Sequence, residues 1–258
     1  MPAYRCQREL MNITPIDLHV AKRFIGQYHY APKCPPHCLE ALGICDNDNW
    51  YQPQRVAIWG WGVRPLHTIQ RLFPELETKD YRELNRLCTL DSLPRNTESA
   101  FIAACVRWLR QHRSSVKVLL SWADGMRGKP GYIYQAANWL YGGFIETEFY
   151  ISADDEVVHP RFLITRFGTR SGAVTESLGL RHIRGRQFLY ARFLCGHQEM
   201  KQLIRSSPVG WSRKYPKLED CLVWDAGDAS REMRQASSLQ GAVRFRNPAP
   251  SLFDDLKE

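Results

Sequence analysis

The chain has 258 residues, a formal net charge of +8, and 44% apolar and 12% aromatic residues, which excludes a disordered protein and suffices for a full core. No apolar run approaches the roughly 20 residues that cross a bilayer. Met1-Pro2-Ala3-Tyr4-Arg5 lacks the apolar stretch of a secretory leader, so a cytoplasmic protein with no membrane partner is expected. The positive charge favours an anionic partner, nucleic acid first and an acidic cofactor second.

Residues 15–28 place Ile16, Val20 and Phe24 at helical spacing, with Thr14 as the expected cap. Tyr28-His29-Tyr30 then leads into Cys34-Pro35-Pro36-His37-Cys38, followed by Cys45. Four soft ligands within a dozen residues admit zinc or iron, but the spacing matches no common finger. A proline-stiffened loop carrying reduced thiols is the alternative, and the eight cysteines of a cytosolic chain are expected unpaired. Residues 56–63 read as a strand whose glycines predict a bulge or a close backbone approach. Residues 68–76 read as a short helix or loop.

Residues 81–90 form an extended run in which Glu83 and Arg86 interrupt the apolar pattern. A charge facing a sheet costs several kcal/mol unless paired or met by an anionic ligand, roughly by desolvation, so chemistry is sought here. Asn96 is expected to cap a helix reaching His112, with Glu98 near its positive end and Phe101, Ala104, Cys105, Trp108 and Leu109 as its buried stripe. Residues 116–122 are too apolar for an edge and predict a central parallel strand. After the Asp124-Gly125 turn, a second helix is expected over 132–141, stopped by Gly142-Gly143. Residues 144–152, 161–167 and 187–194 read as strands. Arg161, Arg166, Arg170, Arg181, Arg184, Arg186 and Arg192 alternate with Phe162, Phe167, Phe188 and Tyr190, a mixture suited to phosphate contact and base stacking, or to ordinary strands with the aromatics in the core. A domain over 1–205 is expected, with 206–258 a loosely packed C-terminal extension.

This order of elements resembles the GNAT-like N-acyltransferases. The fold class it implies is α/β of the α+β kind, a GNAT-like mixed sheet whose two central parallel strands splay, flanked by helices. More specifically, Glu83-Leu84-Asn85-Arg86-Leu87, Asp91-Ser92-Leu93-Pro94-Arg95-Asn96-Thr97-Glu98-Ser99, Ser121-Trp122-Ala123-Asp124 and Ile133-Tyr134-Gln135-Ala136-Ala137-Asn138-Trp139 closely resemble the phage Mom proteins. Members of that family convert DNA adenine N6 to a carbamoylmethyl derivative and so shield phage DNA from restriction. The resemblance implies double-stranded DNA with a flipped adenine as partner, together with a small-molecule donor. Iron, acetyl-coenzyme A and a glycine-derived donor are the cofactor candidates. One departure concerns coenzyme A: a GNAT helix start carries glycine where this chain has Glu98, which adds a side chain and a negative charge at the pyrophosphate position.

Arg86 is the leading candidate, able to orient a carboxylate or phosphate through bidentate bonds, or else to pair with Glu83 or Asp91. Ser99 and Asn96 lie at the helix start, where a hydroxyl and backbone N–H groups can meet a ligand or simply form a cap. Asp124, ending the central strand, can take a proton from the adenine amine or serve the turn. Tyr134 can donate a proton, with Asn138 one helical turn further on toward substrate; a half-buried structural tyrosine is the alternative. His29 and Tyr30 are expected to line the site, His29 as a base or metal ligand. The rival functions are an N-acetyltransferase acting on an amine or protein, and a DNA-binding module stapled by metal.

Overall fold

The computed structural model describes residues 12–45, 51–227, 230 and 232–239. Its elements in chain order are β1 (Thr14–Ile16), α1 (Leu18–Tyr28), β2 (Cys38–Cys45), β3 (Pro53–Gly60), α2 (Pro65–Leu72), β4 (Tyr81–Thr89), α3 (Thr97–His112) and β5 (Val118–Asp124). There follow α4 (Tyr132–Ala136), β6 (Leu140–Ile151), β7 (Val157–Val158), α5 (Pro160–Phe167), α6 (Gly172–Ser177), β8 (Arg181–Phe193), α7 (His197–Ser206), β9 (Leu222–Asp225) and β10 (Arg234–Gln235). The chain divides into two compact units. Unit 1 comprises Met1–Ser121, Ala136–Trp139 and Ala191–Val209; unit 2 comprises Trp122–Gln135, Leu140–Tyr190 and Gly210–Glu258.

In unit 1, β1, β2, β3 and β4 pair antiparallel in that order, and β5 joins β4 in parallel, with Tyr81, Arg82 and Glu83 opposite Val118, Leu119 and Leu120. The mixed sheet flanked by helices bears out the α+β class. Val118, Leu119 and Leu120 are wholly buried, which is why this short apolar run takes a parallel neighbour rather than an edge. One face of α1 (Ala21, Phe24, Ile25) packs on Ala41, Val56, Ile58 and Cys88 of the strands. The α3 stripe is buried as its spacing predicts, at Phe101, Ala104, Cys105 and Leu109.

Helix α1 starts later than expected. Thr14 belongs to β1, and Asp17 caps the helix by accepting the His19 N–H at 2.6 Å. At α3, Asn96 occupies the cap position with φ 67° and its side chain makes no cap bond. The Thr97 and Ser99 hydroxyls instead donate to the carbonyls of Pro94 (2.5 Å) and Asn96 (3.0 Å). The close approach expected from the β3 glycines is at Gly60, where a Cβ would stand 2.0 Å from His37 O.

In unit 2, β6 pairs with β7, β8 with β9 and β9 with β10, all antiparallel. The expected strand over 161–167 is instead α5. Pro160 at its first turn needs no N–H partner, His159 Nδ1 accepts the Arg161 N–H at 3.0 Å, and Gly168 closes the helix at φ 69°. Leu163 packs with Tyr150 and Val158, while Phe162 and Phe167 lie against the same cluster. The helix expected over 132–141 is cut to five residues, because Asn138 takes φ 59° and β6 already begins at Leu140. Past residue 206, β9 pairs with β8 and buries Val223 and Trp224; the 229–258 stretch lies largely outside the described residues.

Candidate active site

Strand β4 carries one residue more than β3 opposite it. Leu84 faces Trp59 and Arg86 faces Ile58, leaving Asn85 as a bulge. A bulge re-aims the side chains beside it. Asn85 Nδ2 is thereby brought 4.0 Å from Cys38 Sγ. Arg86 Nε donates to Ala31 O at 3.0 Å, Nη1 to Asn85 O at 2.6 Å, and Nη2 to Lys33 O. The ion pair weighed for Arg86 is replaced by three carbonyls, two of them on the segment between α1 and β2. That segment carries the expected lining residues. His29 Nδ1 accepts the Ala31 N–H at 2.9 Å, and the His29 and Tyr30 rings stack with centroids 4.3 Å apart. His29, Tyr30 and Arg86 thus form one cluster joined through Ala31.

Two residues before the bulge, Glu83 is buried and accepts the Gly62 N–H at 3.1 Å, with Tyr81 Oη 3.3 Å away. Burial pushes its carboxyl above the ordinary glutamate range, against the pull of these two donors. Tyr81 Oη is also 3.0 Å from Pro65 O, so its single proton serves two acceptors. Glu83 is a further functional candidate: its signal in the sequence is a charge interrupting an apolar strand, and its partners are the Gly62 N–H and Tyr81 Oη rather than Arg86.

Ser99 and Asn96 lie at the start of α3 with the bonds already described, and Asn138 presents its carbonyl to Arg192 Nη1 at 2.7 Å. In unit 2, Asp124 ends β5 and opens a single helical turn. Its carboxylate lies 3.5 Å from Arg127 Nε, and its carbonyl takes the Lys129 N–H at 3.1 Å. Burial raises the Asp124 pKa, partly offset by Arg127 and Lys129 and by the N–H groups of Met126 and Arg127. Tyr134 is buried, its ring 5.1 Å from Tyr190 in a cluster that includes Tyr141 and Phe188.

Two pairs of alternatives from the sequence are narrowed. The four soft ligands do not converge: Cys38 opens β2 and Cys45 ends it, roughly 23 Å apart at the strand rise, and no group of three His, Cys, Asp or Glu fit to hold a metal occurs among the described residues. The aromatics of the arginine-rich stretch are core: Phe188 and Tyr190 are buried, because β8 is an interior strand there. Three of its seven arginines are matched, Arg170 with Glu148, Arg181 with Asp155 at 3.8 Å and Arg184 with Glu146 at 2.7 Å. A cavity of about 380 Å³ beside these pairs is lined by charges of both signs, with Glu146, Glu148, His159, Arg170 and Arg184 on its wall.

The Mom protein family model matches residues 10–217, a span that holds every candidate above. The methylcarbamoylase Mom of Escherichia phage Mu is 29% identical over 188 residues, covering 71% of this chain and 76% of the Mu protein. With the larger part of its length matched by that model, the chain belongs to the Mom protein family.

Proposed function

We propose that this protein modifies DNA, attaching a small amide fragment to adenine N6. The observation that carries the reading is the similarity over 188 residues to a phage Mu protein named a methylcarbamoylase. The methylcarbamoyl group of that name and the carbamoylmethyl group expected from the sequence are isomers of one composition, and both need a nitrogen nucleophile. Adenine N6 is a weak one, since its lone pair is delocalised into the ring, and it lies inside the duplex. The base is therefore extruded before reaction, at a cost of a few kcal/mol.

Charge and aromatic exposure in unit 1 support this reading. Of the net +8, +7 falls within the residues of unit 1 and +1 within those of unit 2. From Leu18 to Leu39 the chain holds Lys22, Arg23 and Lys33 with three histidines and no Asp or Glu. Tyr28 and Tyr30 are 50% and 43% exposed there, which suits stacking on a displaced base. Arg86 is the positioning residue of this cluster, holding the carbonyls of Ala31 and Lys33 so that His29 and Tyr30 are presented in one geometry. In unit 2, Asp124 and Tyr134 are the proton-handling candidates; a carboxyl with a raised pKa is suited to accepting the amine proton. Ser99 and Asn138 complete the assignment as hydrogen-bonding groups toward the donor and the base. Coenzyme A chemistry is not part of this reading, because Glu98 occupies the first turn of α3 where a pyrophosphate would need N–H groups alone.

The test is to express the protein with plasmid DNA, digest the DNA to nucleosides and characterise deoxyadenosine by mass spectrometry with fragmentation, which separates the two isomers. A new deoxyadenosine species, resistance of the plasmid to restriction enzymes that read adenine N6, and loss of both with Arg86→Ala are the expected results. Unaltered nucleosides from DNA recovered with folded wild-type protein overturn the reading.

A further inference from the structure

The sequence sets arginines and aromatics alternately along residues 161–192, and the fold buries Phe188 and Tyr190 of that stretch. It lays an outward phenylalanine of the neighbouring strand against one of the arginines instead. Strands β6 and β8 are sheet neighbours, and three side-chain contacts cross between them at two-residue steps: Phe144 to Arg186, Glu146 to Arg184 and Glu148 to His182. Steps that rise by two on one strand and fall by two on the other are those of antiparallel neighbours whose side chains share a face. Two of these rungs join a carboxylate to a nitrogen at 2.7 Å. The third has no carboxylate. The Arg186 guanidinium carbon stands 4.4 Å from the centre of the Phe144 ring, and no ion pair or hydrogen bond among the described residues engages it, its buried Nε included. Phe144 is 47% exposed, so the ring face away from Arg186 is open.

Two features of unit 2 adjoin this rung. Ser212 exchanges both backbone hydrogen bonds with Tyr141, at 2.8 and 2.9 Å, which ties residues 211–217 to the start of β6. That segment holds Trp211, Arg213, Lys214 and Lys217 with no Asp or Glu, and its three cations are exposed. Trp211 rests on Gly142, where a Cβ would stand 2.4 Å from the indole ring. The turn that Asp124 opens lies on the Arg186 backbone, since a Cβ on Gly125 would stand 2.6 Å from Arg186 O. An open ring, an unmatched guanidinium and a basic segment with its own aromatic are therefore gathered next to that turn.

We infer that Phe144 and Arg186 hold a nucleotide of the DNA strand, Phe144 stacking on the face of a base outside the duplex and Arg186 meeting a phosphate of the same strand. A base inside a duplex has both faces covered by its neighbours, so an exposed ring meets only an extruded or single-stranded one. The ring is already backed by the guanidinium on one side, which leaves the other for the base. A phosphate supplies Arg186 with the counter-charge that Glu146 gives Arg184 on the next rung. The exposed cations at 213, 214 and 217 continue the path of the backbone. This rests on the reading of the protein as a DNA-modifying enzyme and deepens it: Phe144 joins Tyr28 and Tyr30 of unit 1 as a stacking surface, and it is the one beside the Asp124 turn.

The experiment measures binding of the full-length protein to two fluorescent probes by anisotropy at several salt concentrations. One probe is a short single-stranded oligodeoxyadenylate, the other a sugar-phosphate oligomer of the same length without bases. Wild-type protein is expected to prefer the adenylate probe, and Phe144→Leu to lose about tenfold of that preference, the worth of one stacked base. Phe144→Trp should retain it, which a merely structural phenylalanine would not require. Arg186→Gln should lower the slope of log affinity against log salt by about 0.7, the single-strand value for one phosphate, while Phe144→Leu leaves the slope as it is. Equal binding of the two probes by wild type, an unchanged preference in Phe144→Leu, or an unchanged slope in Arg186→Gln overturns the inference. Binding is read without any modification of the probe. Unaltered nucleosides together with these binding shifts would therefore sink the modification reading alone, and modified deoxyadenosine with unshifted binding would sink this inference alone.

Discussion

Unit 1 carries 19 Lys and Arg against 12 Asp and Glu, while unit 2 carries 16 against 15. Several arginines of unit 2 lie next to carboxylates, among them Arg170 by Glu148 and Arg184 by Glu146. In unit 1, Arg86 spends its N–H groups on backbone carbonyls, and Lys22, Arg23 and Lys33 sit in a stretch without acid. A local count of arginine pointed to residues 161–192 as the anionic-partner surface, and after folding three of its seven arginines are matched by carboxylates from outside the stretch, Glu146, Glu148 and Asp155. What matters for an anion is charge left unmatched after folding, and most of that belongs to unit 1.

The largest effect separating the two uses of arginine is on stability. Arg86→Ala removes three charge-assisted bonds to carbonyls that then lack a donor, and should lower unfolding free energy by about 2 kcal/mol. Arg184→Ala removes a half-exposed pair and should cost below about 1 kcal/mol. Thermal denaturation of both variants checks the contrast, and equal losses would end it.

A smaller effect is expected on nucleic-acid binding. Replacing Lys22 and Lys33 together by Gln should weaken binding to duplex DNA uniformly across sequences and reduce the slope of log affinity against log salt by about two. Replacing Arg170 and Arg184 by Gln in unit 2, where Glu148 and Glu146 already match them, should change that slope by less. A titration at several salt concentrations decides; the reverse order would move the interface to unit 2.

The smallest effect is on pH dependence. Glu83 has a folded pKa above its unfolded value, so the native state holds its proton more tightly. Stability from this group is then full below the ordinary glutamate value of about 4.3 and is lost as pH rises from there through the raised folded value. Glu83→Gln should flatten the decline in unfolding free energy across that window, as measured by denaturant titration at several pH values. An unchanged or steeper decline would mean that Glu83 is not ionising under strain. Asp124 has a shift of the same sign and will retain part of the slope.

Much of the framework was legible in the chain. Val118-Leu119-Leu120, apolar without alternation, could only be satisfied by burial on both sides, and it became the strand paired in parallel with β4. The α3 stripe followed from its spacing. Helix α5 was also legible but misread: Pro160 and Gly168 are the start and stop signals of a helix, and the alternating aromatics between them obscured the pattern. The Mom-like words located Arg86, Asp124 and Tyr134, but did not say what each side chain would touch.

By itself the sequence determined the family, the α+β class, the net positive charge and the strand in which charge interrupts the apolar pattern, since each is carried by side-chain identity and order. Only the tertiary structure decided that Asn85 bulges and that Arg86 clasps carbonyls 55 and 53 residues away. The physical reason is that these partners are backbone groups. Every residue offers the same carbonyl, so nothing in the order of side chains marks which one a folded guanidinium will find.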